Sequence, residues 1–258
     1  MTLRSTPRWA TVAIVGDLDR TQAEELADLI TAELPSAGPA PSLPAVPALD
    51  QASLAEITFP SSQTHIYVGQ PGMRRGDPDY FPLYVGNHIL GGGGLVSRLF
   101  REVREERGLS YSVNSRFSPM AQDGPYIFSL QTRNDQTGEA LQVLRDTLRD
   151  FHDKGPTDDE LVAAKKNITG GFPLRIDSNS KIVEYLAMIG FYDLPLDYLE
   201  TFNERVMAMR SIAELGINWL QPIRQFRVAT PEALDDRLTQ RTQMILERRS
   251  PVSAGKKG

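Results

Sequence analysis

The chain has 258 residues, 40% of them apolar and 24% charged, with a formal charge of −5, which fits a globular protein of one large domain or two small ones. That acidic balance argues against a nucleic-acid partner, which calls for a basic stripe, and gives no ground for attachment to an anionic membrane. There is no cysteine, so disulfides, thiolate catalysis and cysteine-bound zinc are excluded, and no apolar run reaches the roughly 18 residues of a membrane span.

Residues 1–9 are polar and hold no apolar signal-peptide core. Residues 10–15 form a β-branched run stopped by Gly16 and read as a strand. Asp19-Arg-Thr-Gln22 fits a capping box, with Thr21 and Glu24 as a second candidate, and a helix is expected through Leu34 with Ala23, Leu26, Ala27 and Ile30 apolar. This strand–helix unit (1–34) is too small to bury a core alone, so it must dock on the main domain or on another chain. Prolines 35, 39, 41, 44 and 47 then exclude helices and central strands, and 35–50 reads as an extended, semi-rigid linker.

The main domain is expected over 51–230. Strand-like runs near 54–59 and 63–69 flank Pro60-Ser-Ser, and Asp77-Pro-Asp79 precedes a helix to about Leu90. A helix at 97–107, a strand at 109–115 and a strand from Tyr126 to Gln131 follow. Leu141, Leu144, Leu148 and Phe151 recur at spacings of three and four, the mark of an amphipathic helix. Thr157-Asp-Asp-Glu160 is a capping box opening another helix. Further helices are expected near 179–191, 196–208 and 211–220, and Gln225–Ala229 as a last strand. Residues 231–258 read as a charged helix and a tail disordered from about 248. Paired strands followed by runs of helices predict an α+β fold, a two-layer sandwich whose mainly antiparallel sheet carries helices on one face.

The most informative unit is Gly91-Gly-Gly-Gly94, a helix, Gly108 and a strand. Four glycines remove every side chain from a stretch of surface and permit positive φ. A phosphate loop needs Lys-Ser or Lys-Thr next, where Leu95-Val96-Ser97 stand, and a dinucleotide fingerprint follows a strand rather than a helix. Two readings remain: a sharp connection between helices, or a backbone surface that a peptide approaches closely. Ser97 is the expected N-cap; Val96, Leu99, Phe100 and Val103 share a face to be buried, and Arg101, Glu102 and Glu105 face water. Arg104 borders the apolar face one turn after Phe100. By alternation Tyr111 shares the side of Leu109 and Val113. Read from pattern alone, Arg104 is a surface or salt-bridged arginine and Tyr111 a half-buried core tyrosine.

Asn87-His-Ile-Leu-Gly-Gly, Ser97-Arg-Leu-Phe, Val103-Arg-Glu, Arg107-Gly-Leu-Ser-Tyr-Ser-Val, Thr157-Asp-Asp-Glu-Leu, Gln63-Thr-His-Ile and Val12-Ala-Ile-Val-Gly-Asp17 occur in an order that resembles the second, zinc-free half of the pitrilysin/insulinase zinc peptidases, which include the processing peptidases. The resemblance implies half of a two-part clam shell closing on a peptide, with residues 1–34 the end of the first, zinc-bearing half. It further implies that Arg104 holds a substrate carbonyl and that Tyr111 donates to the oxyanion formed when water attacks. Gly91, Gly92, Gly93 and Gly94 stand where the non-catalytic processing-peptidase subunit has its glycine-rich substrate loop.

The first half's His-x-x-Glu-His zinc motif is absent. His65, His88 and His152 form no close pair, so His65 and His88 are expected to serve packing or hydrogen bonding and His152 to be exposed. The resemblance thus implies a chain that binds no metal itself, supports peptide hydrolysis by a zinc-bearing partner half, and pairs with that half and with a peptide. The alternatives are a non-catalytic scaffold subunit or a truncated gene product. The compartment is unreadable; bacterial relatives of this kind are often periplasmic.

Overall fold

Apolar and polar residues alternate along two stretches of the central chain, and in space that alternation becomes a sheet with one buried and one open face. A computed structural model describes residues 10–34, 40–49, 51, 53–209 and 225–230. Five strands, β1 (Ser53–Thr58), β2 (Gln63–Pro71), β3 (Val113–Phe117), β4 (Pro125–Arg133) and β5 (Gln225–Thr230), form one sheet in the order β1-β5-β2-β4-β3. The last strand in sequence enters between the first two, parallel to β1 and antiparallel to β2; the other pairings are antiparallel.

Register sets the faces. Ile66 stands opposite Leu130 and Val68 opposite Phe128, and all four side chains are buried with Tyr126 and Val113. The alternate residues, among them Tyr67, Ile127, Ser129, Asn114 and Arg116, point to the other side. The buried face is covered by α2 (Tyr80–Asn87), α3 (Thr137–Lys154), α4 (Asp158–Gly171), α5 (Asn179–Phe191) and α6 (Tyr198–Ala208). In α3, Ala140, Leu144, Leu148 and Phe151 lie on one stripe and are all buried, which is why that helix seats on the sheet. Thr157 and Glu160 form the expected capping box of α4, and the Ser178 hydroxyl accepts from the Lys181 N–H to start α5. The architecture is α+β with a mainly antiparallel sheet, as the element pattern predicts.

Some elements differ from expectation. Residues 10–15 carry no regular structure. A strand needs a neighbour for its N–H and C=O groups, and this run instead lies against α5, with Thr11 Cγ2 2.5 Å from where a Cβ on Gly190 would stand. The following α1 (Arg20–Thr31) has the Asp19/Gln22 capping box but ends before Leu34 and buries no residue; Leu26, Leu29 and Ile30 are exposed. Residues 40–49 have no helix or strand. The helix expected over 211–220 and everything expected of 231–258 fall outside the described residues.

Candidate functional site

The glycine segment is shaped by packing as much as by turning. Beyond Asn87 the helix widens into a π-helical turn, His88–Gly92, and then a 3₁₀ turn, Gly94–Val96. The Gly93 N–H closes the wide turn on the His88 carbonyl at 2.8 Å. Gly91 is buried, and a Cβ there would stand 2.5 Å from Ser115 Oγ and 2.7 Å from the Ser115 backbone nitrogen. Gly94 has φ +62°, which a side chain would strain. So the expectation of four bare glycines on the surface needs correcting: Gly91 faces β3, and the stretch open to solvent is Gly92 to Val96, with Gly93 half-buried. Leu95 and Val96 join that exposed stretch. Val96 is 72% exposed, because the 3₁₀ turn ends before the apolar face of the next helix begins.

Gly91→Ala is therefore expected to destabilise by about 1–3 kcal/mol through overpacking against backbone. Gly170→Ala, in α4 with nothing within 4 Å of a new Cβ, is expected to stabilise by about 0.5–1 kcal/mol. Thermal melting of the two variants checks both signs.

Ser97 does cap the next helix: it is extended, its hydroxyl donates to the Gly94 carbonyl at 2.7 Å, and it accepts from the Phe100 N–H. The helix opens into a second π-helical segment, Phe100–Glu105. Gly108 ends it with φ +62°, and the Leu109 N–H returns to the Val103 carbonyl at 2.9 Å. The strand expected at 109–115 begins only at Val113. Before it, the buried Ser110 hydroxyl donates to the Ser112 carbonyl at 2.7 Å and accepts from the Ser112 N–H at 3.2 Å. That clasp makes a tight turn with Tyr111 at its tip. Leu109 is pinned on one side, its carbonyl accepting from Thr132 Oγ1 at 2.6 Å, and Val113 is buried on the other. Tyr111 is thus not a half-buried core residue but 82% exposed.

The turn brings Tyr111 to Arg104. The guanidinium carbon of Arg104 lies 4.4 Å from the Tyr111 ring centroid and 4.8 Å from that of Phe100. Cation–π contact uses the flat face of the guanidinium and leaves its N–H edge for an in-plane acceptor such as a carbonyl. Among the described residues Arg104 makes no ion pair and the Tyr111 hydroxyl no hydrogen bond. Two donors therefore stand side by side. Below the glycine turn, burial and then the Arg175 charge push the His88 imidazole below its ordinary value, so it adds no positive charge near neutral pH.

Comparison with known proteins decides the family. Residues 6–168 match the model of the peptidase M16 inactive domain. The chain belongs to that family. It is 40% identical to a solved peptidase M16 inactive domain from Pseudomonas fluorescens, with a TM-score of 0.77 over 85% of this chain and 52% of that one. It is also 37% identical over 127 residues to an uncharacterized zinc protease of Streptomyces coelicolor, covering 49% of this chain and 28% of that protein. A Helicobacter pylori protein described as the non-peptidase homolog YmxG is 32% identical over 127 residues, 48% of this chain and 29% of that protein. The chain thus spans about half of that Pseudomonas chain and less than a third of these two relatives.

In this M16 domain His65 lies on β2, His88 at the end of α2 and His152 on α3, and His152 is exposed. Among the described residues no three His, Asp or Glu side chains gather as metal ligands, and no helix is long and apolar enough to cross a membrane. Sequence reasoning missed the part played by Arg98. It is 8% exposed, its Nε and Nη2 donate to both oxygens of Glu160 at 2.6 Å, and Nη2 also reaches the Gly155 carbonyl at 2.9 Å. Glu160 is meanwhile the capping residue of α4. Burial works to raise its carboxyl, but bonds from Arg98 and Thr157 and the Arg98 charge outweigh it and hold the group below its ordinary value of 4.5. A cleft of about 810 Å³ opens beside this network, lined by Arg98, Arg101, Glu102, Arg107 and Asp150 among others, but not by Arg104 or Tyr111. Its arginines are all ion-paired.

Proposed function

We propose that this chain is the zinc-free, substrate-binding half of a pitrilysin-type metallopeptidase, pairing with a homologous zinc-bearing half supplied elsewhere. What supports the reading most is the Arg104–Tyr111 pair: two hydrogen-bond donors, stacked at 4.4 Å and free of partners among the described residues. Among the described residues no cluster fits a zinc site, and in this reading the metal and the water it activates belong to the other half. Arg104 holds the carbonyl of a bound peptide with its guanidinium edge. Tyr111 Oη donates to the oxygen on which charge develops, which is worth most where water is excluded. Gly92 and Gly94 let the peptide backbone approach.

The purified chain given zinc is expected to hydrolyse no peptide, whereas the chain mixed with its zinc-bearing half cleaves peptides in a chelator-sensitive way. Robust, chelator-sensitive cleavage by the chain alone would overturn the reading. A second reading, a scaffold subunit that keeps the fold without supporting cleavage, draws on the relative described as a non-peptidase homolog. It predicts assembly with the other half but no dependence of cleavage on Arg104.

A further inference from the structure

Two buried hydroxyls hold the turn that displays Tyr111. β3 pairs with β4 as far back as Val113 opposite Leu130. Carried two residues further, that register would set Tyr111 opposite Thr132, on the same buried face as Val113 and Leu130. The chain takes another course. Thr132, 2% exposed, donates from Oγ1 to the Leu109 carbonyl at 2.6 Å, so the backbone meets Thr132 two residues early. Residues 110–112 then loop outward, and Ser110, 5% exposed, closes the loop by bonding both the N–H and the carbonyl of Ser112. Leu109 and Val113 stay buried at either end, while the ring between them is 82% exposed. That ring touches Arg104, whose guanidinium carbon also lies 4.8 Å from the Phe100 ring centroid. Phe100 is buried within its own helix, whereas the position of Tyr111 depends on the loop. The loop therefore sets one of the two ring contacts of Arg104 as well as the phenol itself.

We propose that Ser110 and Thr132 are positioning residues, which hold Tyr111, and Arg104 through it, where a bound peptide is met. Neither hydroxyl touches the peptide. Their use follows from the exposure of the ring. Had β3 continued through Tyr111, the sheet would bury the phenol and turn it away from any second body. An unbraced loop would leave the phenol in water but free to wander, and a donor misplaced by about 1 Å loses most of its effect on a reacting group. Bonds from two buried side chains, 22 residues apart in sequence, give exposure without that freedom. The proposal rests on the reading of Arg104 and Tyr111 as donors to a peptide.

The test assays the reconstituted pair on an internally quenched peptide, with Ser110→Ala and Thr132→Val each deleting one hydroxyl. Each is expected to lower kcat about tenfold with KM within about twofold, the mark of an interaction made in the transition state. Thr132→Ser keeps the hydroxyl and is expected to return kcat to within about threefold of wild type. In a Tyr111→Ala background, Ser110→Ala is expected to change kcat by less than about twofold, because the ring it positions is gone. A second readout uses the chain alone, labelled with 3-fluorotyrosine. Of its eight tyrosine 19F resonances, the one lost in Tyr111→Phe is expected to move toward free fluorotyrosine in Ser110→Ala, while the other seven hold still. An equal loss of kcat in both backgrounds, or movement of all the resonances, makes the hydroxyls general supports of the fold and overturns the proposal. Loss of kcat in Tyr111→Ala but in neither hydroxyl variant overturns the positioning role and leaves the peptide-donor reading standing. Cleavage by Tyr111→Ala at the wild-type rate overturns that reading and the proposal together.

Discussion

Replacing Arg98 with alanine is expected to lower the stability of the domain by about 3 kcal/mol, the low end for breaking a buried ion pair from one side. For a domain of this size that is a fall in melting temperature of about 6–12 °C. The magnitude follows from what is left behind. The Arg98 side chain is 9% exposed and that of Glu160 22%, so the substitution strands a desolvated carboxylate and the Gly155 carbonyl while emptying a space beside the Phe151 ring, over which the guanidinium lies at 5.1 Å. Thr157 still donates to Glu160, which is why the upper end is not expected. The comparison is Arg101→Ala, whose ion pair is half exposed and whose loss is expected to fall within about 0.5 kcal/mol. Equal melting temperatures for the two variants would show the network to be dispensable.

The same pair gives the domain an acid-sensitive joint. The Glu160 carboxyl is held below its ordinary value of 4.5 in the folded chain. Its contribution is therefore complete above about pH 4.5 and is lost as pH falls through the folded value. Wild-type stability should drop below that point more steeply than stability of Glu160→Gln, which has no proton to take up there.

What the sequence made legible was local. α3 announces itself because three- and four-residue spacing puts Leu144, Leu148 and Phe151 on one stripe, and α4 because Thr157 and Glu160 satisfy each other's end of the helix. The contact between Arg104 and Phe100 was readable as one helical turn. The failures come from partners distant along the chain, or from a side chain that replaces a strand's hydrogen bonds. Alternation extended back from β3 puts Tyr111 on the side of Leu109 and Val113, but Ser110 satisfies Ser112 from its own hydroxyl and turns the backbone out of the sheet. Gly91 is needed by Ser115, across a close approach that composition does not show. Arg98 finds Glu160 62 residues later, so nothing near it marks it as buried. The run at 10–15 has every local property of a strand and lacks a neighbouring strand among the described residues, which pattern cannot supply.

Arg104→Ala in the reconstituted pair is expected to reduce kcat/KM by about 10²–10³-fold with assembly intact, the effect of removing one preorganised donor at a developing charge. Tyr111→Phe is expected to cost a similar factor. It is the cleaner experiment, because the ring that stacks on Arg104 stays, only a solvent-exposed hydroxyl goes, and melting temperature should not move. Arg104→Lys should fail to rescue: an ammonium keeps the charge but loses the planar fork and the ring contact. Since the two groups touch at 4.4 Å, their effects are not independent, and the double variant should lose less than the product of the single losses. Size-exclusion chromatography of each variant with the zinc-bearing half separates cleavage from assembly. Cleavage within about twofold of wild type in Arg104→Ala, with the complex formed, would favour the scaffold reading, because a donor that holds a reacting carbonyl cannot be removed at so small a cost.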